Sequence, residues 1–355
     1  MNKLVFAVAM VGVSGLAWAE EVPSVTTNAQ KVVLFHVPDG QTLTYADALD
    51  GNVVRGFEKT GGGRLVMTAA SVNYSYKSHR QDIKAGILEE QAAGAIGSYN
   101  NVYIADGAQL YLNFENGDHK NYSPIPTYIK GISGSGPDGT GAIRVGSVVT
   151  SSYHSFIRNE FTLTGDTTIQ CDNTSYTGFS TTSTLNLNGH VLTFNGKAVL
   201  WFGRNADGAG PVVNPGSGGK IVNNMTGWTT YFSAGAVFKG DATSTFEITA
   251  GSILYLNSLA NPFPWKLKNS QKKLQYNVQG SLGRQYNVLA GPIEYVGENE
   301  FGGTSGCSIT FRGRIKFIGT AGVGHTTPAA AYPFGFVQAG PDTSAKSDVF
   351  AGNWD

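Results

Sequence analysis

Short runs of alternating or apolar residues recur along the chain, and each run is closed by Gly, Asn or Asp. In TLNLNGHVLTFNG, Leu185 and Leu187 share one face of an extended strand, and the asparagines between and after them share the other. The same alternation resumes after Gly189 with Leu192 and Phe194. Because side chains alternate across a strand, this pattern predicts strands with one buried face and one solvated face.

Two further runs refine this interpretation. STFEITAG places Phe246 and Ile248 on one face and predicts them to point inward. The apolar run 253–256 has no polar alternation and predicts a strand that is buried on both faces. Only the segment 43–49, TYADA between two leucines, favours a short helix.

Two all-β architectures can use such strands. An antiparallel sandwich would pair runs of matched length around NG or DG hairpin turns. A parallel β-helix would instead show a loose repeat of twenty-odd residues with small or polar corners. The second fits better, because one phrase, a small turn followed by an apolar strand, recurs as GGGRLVMTA (61–69), DGAQLYLN (106–113), TSTLNLNG (182–189), NGKAVLWF (195–202) and AGSILYLN (250–257).

The stretch 56–88 resembles the autotransporter-associated β-strand repeat, whose pattern runs roughly L-x-K-x-G-x-G-x-L-x-L-[ST]-G and ends in x-A-G-x-L. It departs from the pattern at Ala69-Ala70 and over SYKSHRQD. The resemblance implies a single-stranded right-handed parallel β-helix, similar to an autotransporter passenger domain such as pertactin, which is exported and displayed at the bacterial surface. The positions that carry it are Phe57, Lys59, Gly61, Gly63, Leu65, Met67, Asn73, Tyr74, Ile83, Ala85, Gly86 and Leu88.

The chain divides into four parts. Residues 1–19 are predicted to be a signal peptide, because they have a basic start, an apolar centre and an Ala-Trp-Ala site that predicts cleavage after Ala19. Residues 20–55 are predicted to cap the β-helix, which spans 56–318, and 319–355 form a looser, Pro-punctuated segment. The resemblance also implies a C-terminal translocator barrel; its pattern is missing here, so either the chain is truncated or the protein uses another route.

Composition narrows the partners and the location. Charged residues are 14% of the chain and the net charge is zero, which excludes the basic surface of a nucleic-acid binder. No apolar stretch after the signal is long enough for a transmembrane helix. We therefore expect an extracellular or outer-surface protein, with the periplasm as an alternative.

Little in the sequence indicates catalysis. The acids Asp39, Asp106, Asp118, Asp138, Asp207 and Asp241 stand beside small or polar residues, as in turns. The six histidines show no metal-ligand spacing, so we expect no metal, no cofactor and no catalytic residue. Cys171 and Cys307 are interpreted as two separately buried thiols, and a disulfide between them is the alternative.

Aromatic residues supply the only indication of binding. Tyr74, Tyr76, Tyr103 and Tyr111 are candidate ligand contacts, because exposed rings in a row can stack on sugars. We therefore expect a structural and adhesive module that contacts glycans, the surface of a host or neighbouring cell, or a second copy of itself. The alternative is a polysaccharide lyase or glycoside hydrolase on the same scaffold.

Overall fold

The structure is a computed structural model. It describes residues 21–74, 78–97, 100–114, 128–148, 155–174, 176–203, 210–227, 229–232, 235–251, 253–256, 261–270, 273–278, 286–295, 298–303, 308–317, 323–325 and 337–338. The predicted signal peptide with Ala19, together with Tyr76 and Cys307, lies outside the described residues. So does most of the predicted C-terminal segment 319–355.

The described residues form strands and turns and no helix, so none of them forms a helix that could cross a membrane. The strands, in chain order, are β1 (Ser24–Thr27), β2 (Val32–His36), β3 (Thr42–Tyr45), β4 (Gly56–Thr60), β5 (Arg64–Met67), β6 (Arg80–Ile83), β7 (Gly86–Glu90), β8 (Asn101–Ile104), β9 (Ala108–Leu112), β10 (Tyr128–Gly134), β11 (Ile143–Val145), β12 (Ser155–Ile157), β13 (Glu160–Cys171), β14 (Tyr176–Phe179), β15 (Thr184–Asn186), β16 (Val191–Gly196), β17 (Val199–Phe202), β18 (Val212–Asn214), β19 (Lys220–Met225), β20 (Thr229–Phe232), β21 (Val237–Phe238), β22 (Thr245–Ile248), β23 (Ile253–Leu256), β24 (Lys266–Asn269), β25 (Lys273–Val278), β26 (Tyr286–Leu289), β27 (Ile293–Tyr295), β28 (Glu298–Gly303), β29 (Ser308–Phe311), β30 (Ile315–Phe317), β31 (Val323–His325) and β32 (Val337–Gln338).

Parallel pairing stacks most of these strands into three ladders that together form a parallel β-helix, as predicted, and β26, β29 and β32 pair in parallel as a separate sheet. Ladder one runs through β2, β4, β6, β8, β10, the first half of β13, β15, β18 and β21. Ladder two runs through β3, β5, β7, β9, β11, the second half of β13, β16, β19, β22, β24, β27 and β30. Ladder three runs through β12, β14, β17, β20, β23, β25, β28 and β31.

The amino-terminal end of ladder one is covered by β1. This strand pairs antiparallel with β2, and all four of its residues are exposed. Parallel pairing already begins with Val32 against Gly56, inside the range 20–55 that the sequence assigned to the cap. Within that range, β2 and β3 therefore belong to the first coil and β1 is the strand that covers it.

Each coil is a strand–turn repeat of variable length. Register partners on neighbouring coils are as few as 21 positions apart, as for Thr245 and Lys266, and as many as 33 apart, as for Leu110 and Ile143. Most neighbouring strands nevertheless pair in continuous register, so most of the extra residues are taken up at the corners. The exception is β10, which pairs with β8 and β13 through register shifts.

The core consists of inward-facing columns, as the alternation predicted. Leu185, Leu187, Leu192 and Phe194 are all fully buried. At its centre the core is rich in stacked rings; Phe232, for example, stacks on Phe263 with ring centroids 5.3 Å apart. Aromatic pairs of this kind add about 0.5–1.5 kcal/mol each beyond their buried area.

Two predictions about single segments are wrong. Leu254 and Leu256 are buried, but Ile253 and Tyr255 point outward and are only partly buried, so this run does not lie within the core on both faces. The segment 43–49 is not a helix, because Thr42–Tyr45 pairs in parallel with Arg64–Met67. Ladder pairing outweighs the weak local preference for helix there.

The turn at Asn188-Gly189 joins two strands that do not pair with each other. Both residues have positive φ, 52° and 84°, and the amide of His190 donates to the carbonyl of Leu187 at 2.9 Å. Positive φ at both central positions is what a hairpin turn of type I′ requires. Here the same turn chemistry makes a corner between β15 and β16.

Candidate functional site

Lys59 shows what the repeat-like segment does in three dimensions. Its side chain is fully buried, and its Nζ donates to the carbonyl oxygens of Gly61 at 2.5 Å, Gly63 at 2.6 Å and Ala85 at 2.8 Å. Burial lowers the pKa of Lys59 to about 8, and the Coulomb attraction of Asp39 acts against that shift. The ammonium group thus ties a corner of one coil to the next coil.

Two glycines make this arrangement possible. A Cβ on Gly63 would lie 2.1 Å from the Pro38 carbonyl oxygen of the preceding coil. Gly86 has a φ of +66°, and a Cβ there would lie 2.4 Å from the Gly63 carbonyl oxygen and 2.5 Å from Lys59 Nζ. The spacing of Lys59 and these glycines is therefore a requirement of the corner.

The other residues of the repeat-like segment also have structural positions. Leu65 and Leu88 are buried register partners in the core, and Met67 is buried beside them. Asn73 has a positive φ of 53° in a turn. Tyr74 is 1% exposed, which leaves it unavailable at the surface as a ligand contact.

A buried polar cluster surrounds Tyr74. The ring centroids of Tyr74 and His79 are 5.0 Å apart. The backbone carbonyl of Tyr74 accepts a hydrogen bond from the side-chain amide of Asn100 at 2.8 Å. Gln81 donates to the carbonyl of Ile96. Glu90 is also buried. Burial raises the pKa of Glu90 to about 8, although hydrogen bonds from the backbone amides of residues 94–96 act to lower it. This cluster closes a corner of the coil and offers no surface to a ligand.

Tyr103 and Tyr111 do lie on outward columns, but each is covered by a guanidinium group. The Cζ of Arg80 lies 4.1 Å from the centroid of the Tyr103 ring. Arg64 and Arg144 lie over the ring of Tyr111 at 5.6 and 5.0 Å. Cation–π contacts of this kind hold the side chains against the coil.

Two of the acids that were predicted to lie in turns bond within their own turns. Asp138 Oδ1 accepts from the amide of Thr140 at 3.0 Å, and Asp241 Oδ1 accepts from that of Thr243 at 2.8 Å. Asp39 instead accepts from the amide of Gly62 on the following coil, at 2.8 Å. Asp118 and Asp207 lie outside the described residues.

A contiguous row of aromatic side chains stands on the outward face of ladder three. We call it the aromatic row and define it as Tyr176, Trp201, Tyr231 and Tyr255. Trp201 and Tyr231 are register partners with ring centroids 4.6 Å apart and planes 25° apart. Tyr231 and Tyr255 are register partners at 4.7 Å and 11°. Tyr176 meets the edge of Trp201 at 5.0 Å.

All four side chains of the aromatic row are partly exposed. Centroid distances near 4.7 Å between almost parallel rings mean that each ring stacks on its neighbour, which fixes the rings in place along the row. Burial, with the Coulomb effect of the neighbouring Tyr255 and Tyr176 phenols, raises the pKa of Tyr231 to about 12, so its hydroxyl stays neutral and can donate a hydrogen bond.

The strands that carry the aromatic row have no charged residue, since β14, β17, β20 and β23 read YTGF, VLWF, TTYF and ILYL. The outward faces of ladders one and two differ, because their charges occur in pairs. Arg144 binds Asp172 at 2.7 Å, and Glu247 lies between Lys220 at 2.5 Å and Lys268 at 2.9 Å. Burial acts to raise the pKa of Glu247. Hydrogen bonds from Lys220, Ser270 and Lys268 outweigh this effect and lower the pKa to about 2.

Two acids come together on ladder one. Glu58 and Asp82 are register partners on neighbouring coils, so their side chains stand side by side on the outward face. Lys84 pairs with Glu58 at 2.6 Å, and Arg80 donates to both oxygens of Asp82 at 2.7 and 2.8 Å. Each carboxylate is thus matched by its own cation.

Cys171 is a buried free thiol, which agrees with the interpretation of Cys171 and Cys307 as separate thiols. Burial raises the pKa of Cys171 to about 12. Among the residues that the structure describes, no three His, Cys, Asp or Glu side chains are placed to hold a metal ion.

Comparisons with models of protein families, with curated proteins and with solved structures found no match. The aromatic row is therefore assessed by its own geometry. Sequence reasoning placed candidate contacts in the first third of the chain and missed the row. Its signal is one outward aromatic residue in each of YTGF, VLWF, TTYF and ILYL, which becomes readable only once the register of the coils is known.

Proposed function

We propose that this protein is an exported, passenger-like β-helix module of the bacterial surface or of the secreted fraction, and that it binds glycans without catalysing a reaction on them. The single observation that carries the binding role is the aromatic row, four adjacent and partly exposed rings on one face of a rigid scaffold. The pattern of residues 1–19 supports export, and the repeat resemblance over 56–88 supports display at the surface.

Physical reasons connect the row with sugars. A sugar has apolar C–H faces and a rim of hydroxyl groups, and tyrosine and tryptophan offer an apolar ring together with a hydrogen-bonding tip. Placing such rings on regular strands fixes their spacing and reduces the entropy lost on binding. A row held by ladder three is thus preorganised for an extended ligand.

The test is a glycan array probed with the purified protein, combined with an assay for new reducing or unsaturated ends on the same polysaccharides. We expect binding without product. Absence of binding to every glycan would overturn the adhesive role, and formation of product would overturn the non-enzymatic one.

A second function, a polysaccharide lyase or glycoside hydrolase, is favoured by one observation, the adjacent acids Glu58 and Asp82. Glycoside hydrolysis uses two carboxyl groups about 5 to 9.5 Å apart, one on each side of the scissile bond. Here each carboxyl group is already engaged by its own cation, Glu58 by Lys84 and Asp82 by Arg80, which leaves neither free to contact a glycosidic oxygen. If product forms in the assay above, a Glu58→Gln/Asp82→Asn variant should abolish it.

A further inference from the structure

The direction of the aromatic row restricts the shape of its ligand. Trp201, Tyr231 and Tyr255 lie in register on three successive coils, so the row crosses the strands and runs along the axis of the β-helix. The two ring-to-ring steps are nearly equal, at 4.6 and 4.7 Å. A ligand that contacts every ring must therefore run parallel to the axis and present a similar group at each short step. A polymer of like units meets both conditions.

The charge of the face restricts the ligand further. Acidic glycans and nucleic acids are held by Lys and Arg, and β14, β17, β20 and β23 contain neither. On ladder two, Arg144 and Lys220 are already paired with acids of their own face. An uncharged face matches an uncharged polymer.

A peptide strand fits this face poorly. Extended peptides are recognised by addition to a free sheet edge. In β17, β20 and β23 the backbone is engaged with a coil on each side, so ladder three offers no edge at the row. What remains available to a ligand is the side chains, which present ring surface and tyrosine hydroxyls.

We propose that the aromatic row binds a neutral polysaccharide that lies along the axis of the β-helix across successive coils, with Trp201 and Tyr231 as its central contacts. This inference rests on the proposed glycan-binding function and narrows it to one class of glycan and one orientation.

The experiment measures binding of the intact protein to two sets of soluble polysaccharides. Hydroxyethyl cellulose and laminarin are the neutral probes, and polygalacturonate and alginate are the acidic ones. Isothermal titration at low and high salt gives the affinities. We expect binding to a neutral probe that is insensitive to salt, and at least a tenfold loss of that affinity in Trp201→Ala and in Tyr231→Ala. Tyr111→Ala, which removes a partly exposed ring elsewhere, is the matched control and should bind as the parent does.

The outcomes separate the inference from the function on which it rests. Salt-sensitive binding to the acidic probes alone would overturn the neutral class while leaving a glycan-binding module. Neutral binding that is unchanged in both row variants would overturn the site. Binding to neither set would overturn both proposals. Thermal melting of each variant checks folding, and Trp201→Leu and Tyr231→Leu replace any alanine variant that does not fold, with the same tenfold loss expected.

Discussion

The Nζ of Lys59 donates to the carbonyl oxygen of Ala85 on the following coil at 2.8 Å, so one buried ammonium group links two neighbouring coils. The same nitrogen also binds the carbonyls of Gly61 and Gly63. Hydrogen bonds from a charged donor are stronger than neutral ones, and a buried carbonyl left unpaired costs about 1–3 kcal/mol. This contact makes the corner sensitive to single substitutions.

We expect Lys59→Met to lower the free energy of unfolding by about 3 kcal/mol or more, because it leaves buried carbonyl groups without a donor. Urea unfolding measures the change. Lys84→Met is the control, since Lys84 is half exposed and pairs with Glu58 at the surface, and it should cost less than about 1 kcal/mol. Equal losses in the two variants would contradict the structural role of the buried ammonium.

Gly86→Ala should destabilise the protein much more than Gly107→Ala. Both glycines have positive φ, +66° and +74°, so both alanines suffer the same backbone strain. A Cβ at Gly107 meets nothing within 4 Å, whereas one at Gly86 would overlap the Gly63 carbonyl oxygen and Lys59 Nζ. We expect about 1 kcal/mol for Gly107→Ala and at least about 3 for Gly86→Ala.

Thermal or urea unfolding of the two glycine variants, compared with the parent, supplies the difference. A similar cost at both positions would mean that the corner around Lys59 relaxes to accept a side chain.

Glu90 should make stability fall as the pH rises. Its pKa is about 8 when folded, against 4.5 as the ordinary value. Between about pH 4.5 and 8 the folded chain keeps a proton that the unfolded chain releases, so the free energy of unfolding decreases with pH. The Glu90→Gln variant should be as stable as the parent protein near pH 4.5 and more stable than the parent near pH 8.

Glu247 should behave in the opposite way. The pKa of Glu247 is about 2 in the folded protein, below the ordinary value of 4.5. The ionised carboxylate therefore stabilises the fold fully above pH 4.5, and this stabilisation is lost as the pH falls towards 2. Glu247→Gln should therefore cost on the order of 2 kcal/mol at neutral pH, and the difference from the parent should shrink in acid. Urea unfolding across pH 2 to 8 tests both carboxyl groups; parallel curves for parent and variant would refute either assignment.

Cys171 should be unreactive in the folded protein, because it is fully buried and its pKa is raised to about 12. In a Cys307→Ser variant, a thiol reagent at mildly alkaline pH should label nothing until denaturant is added, and then one thiol per chain. Labelling of the native variant would show that the core opens at this coil.

The sequence predicted the fold through local alternation, but not the site. Leu185 and Phe194 could be placed in the core because the period of two is a local property of a strand. The neighbours in the aromatic row, Trp201 and Tyr231, are 30 positions apart, while Tyr231 and Tyr255 are 24 apart. No fixed period connects them, since corners of unequal length determine which residues stack.

Tyr255 illustrates the same limit from the other side. The apolar run around Tyr255 predicted burial on both faces. In the structure Tyr255 points outward, and its ring is partly covered because it stacks on the ring of Tyr231. Likewise, the pattern of Lys59 with its glycines was recognisable as a repeat, but the three carbonyl groups that it binds belong to tertiary structure.

The unequal coil lengths have a consequence for how the gene can change. Codons added at a corner lengthen one coil and leave the columns above and below it aligned, because the strands hold their register independently of the corners. One codon added inside a strand would instead turn its following side chains to the opposite face. An insertion of the first kind beside β17 would leave Trp201 over Tyr231; one of the second kind, just before Trp201, would point the indole into the core.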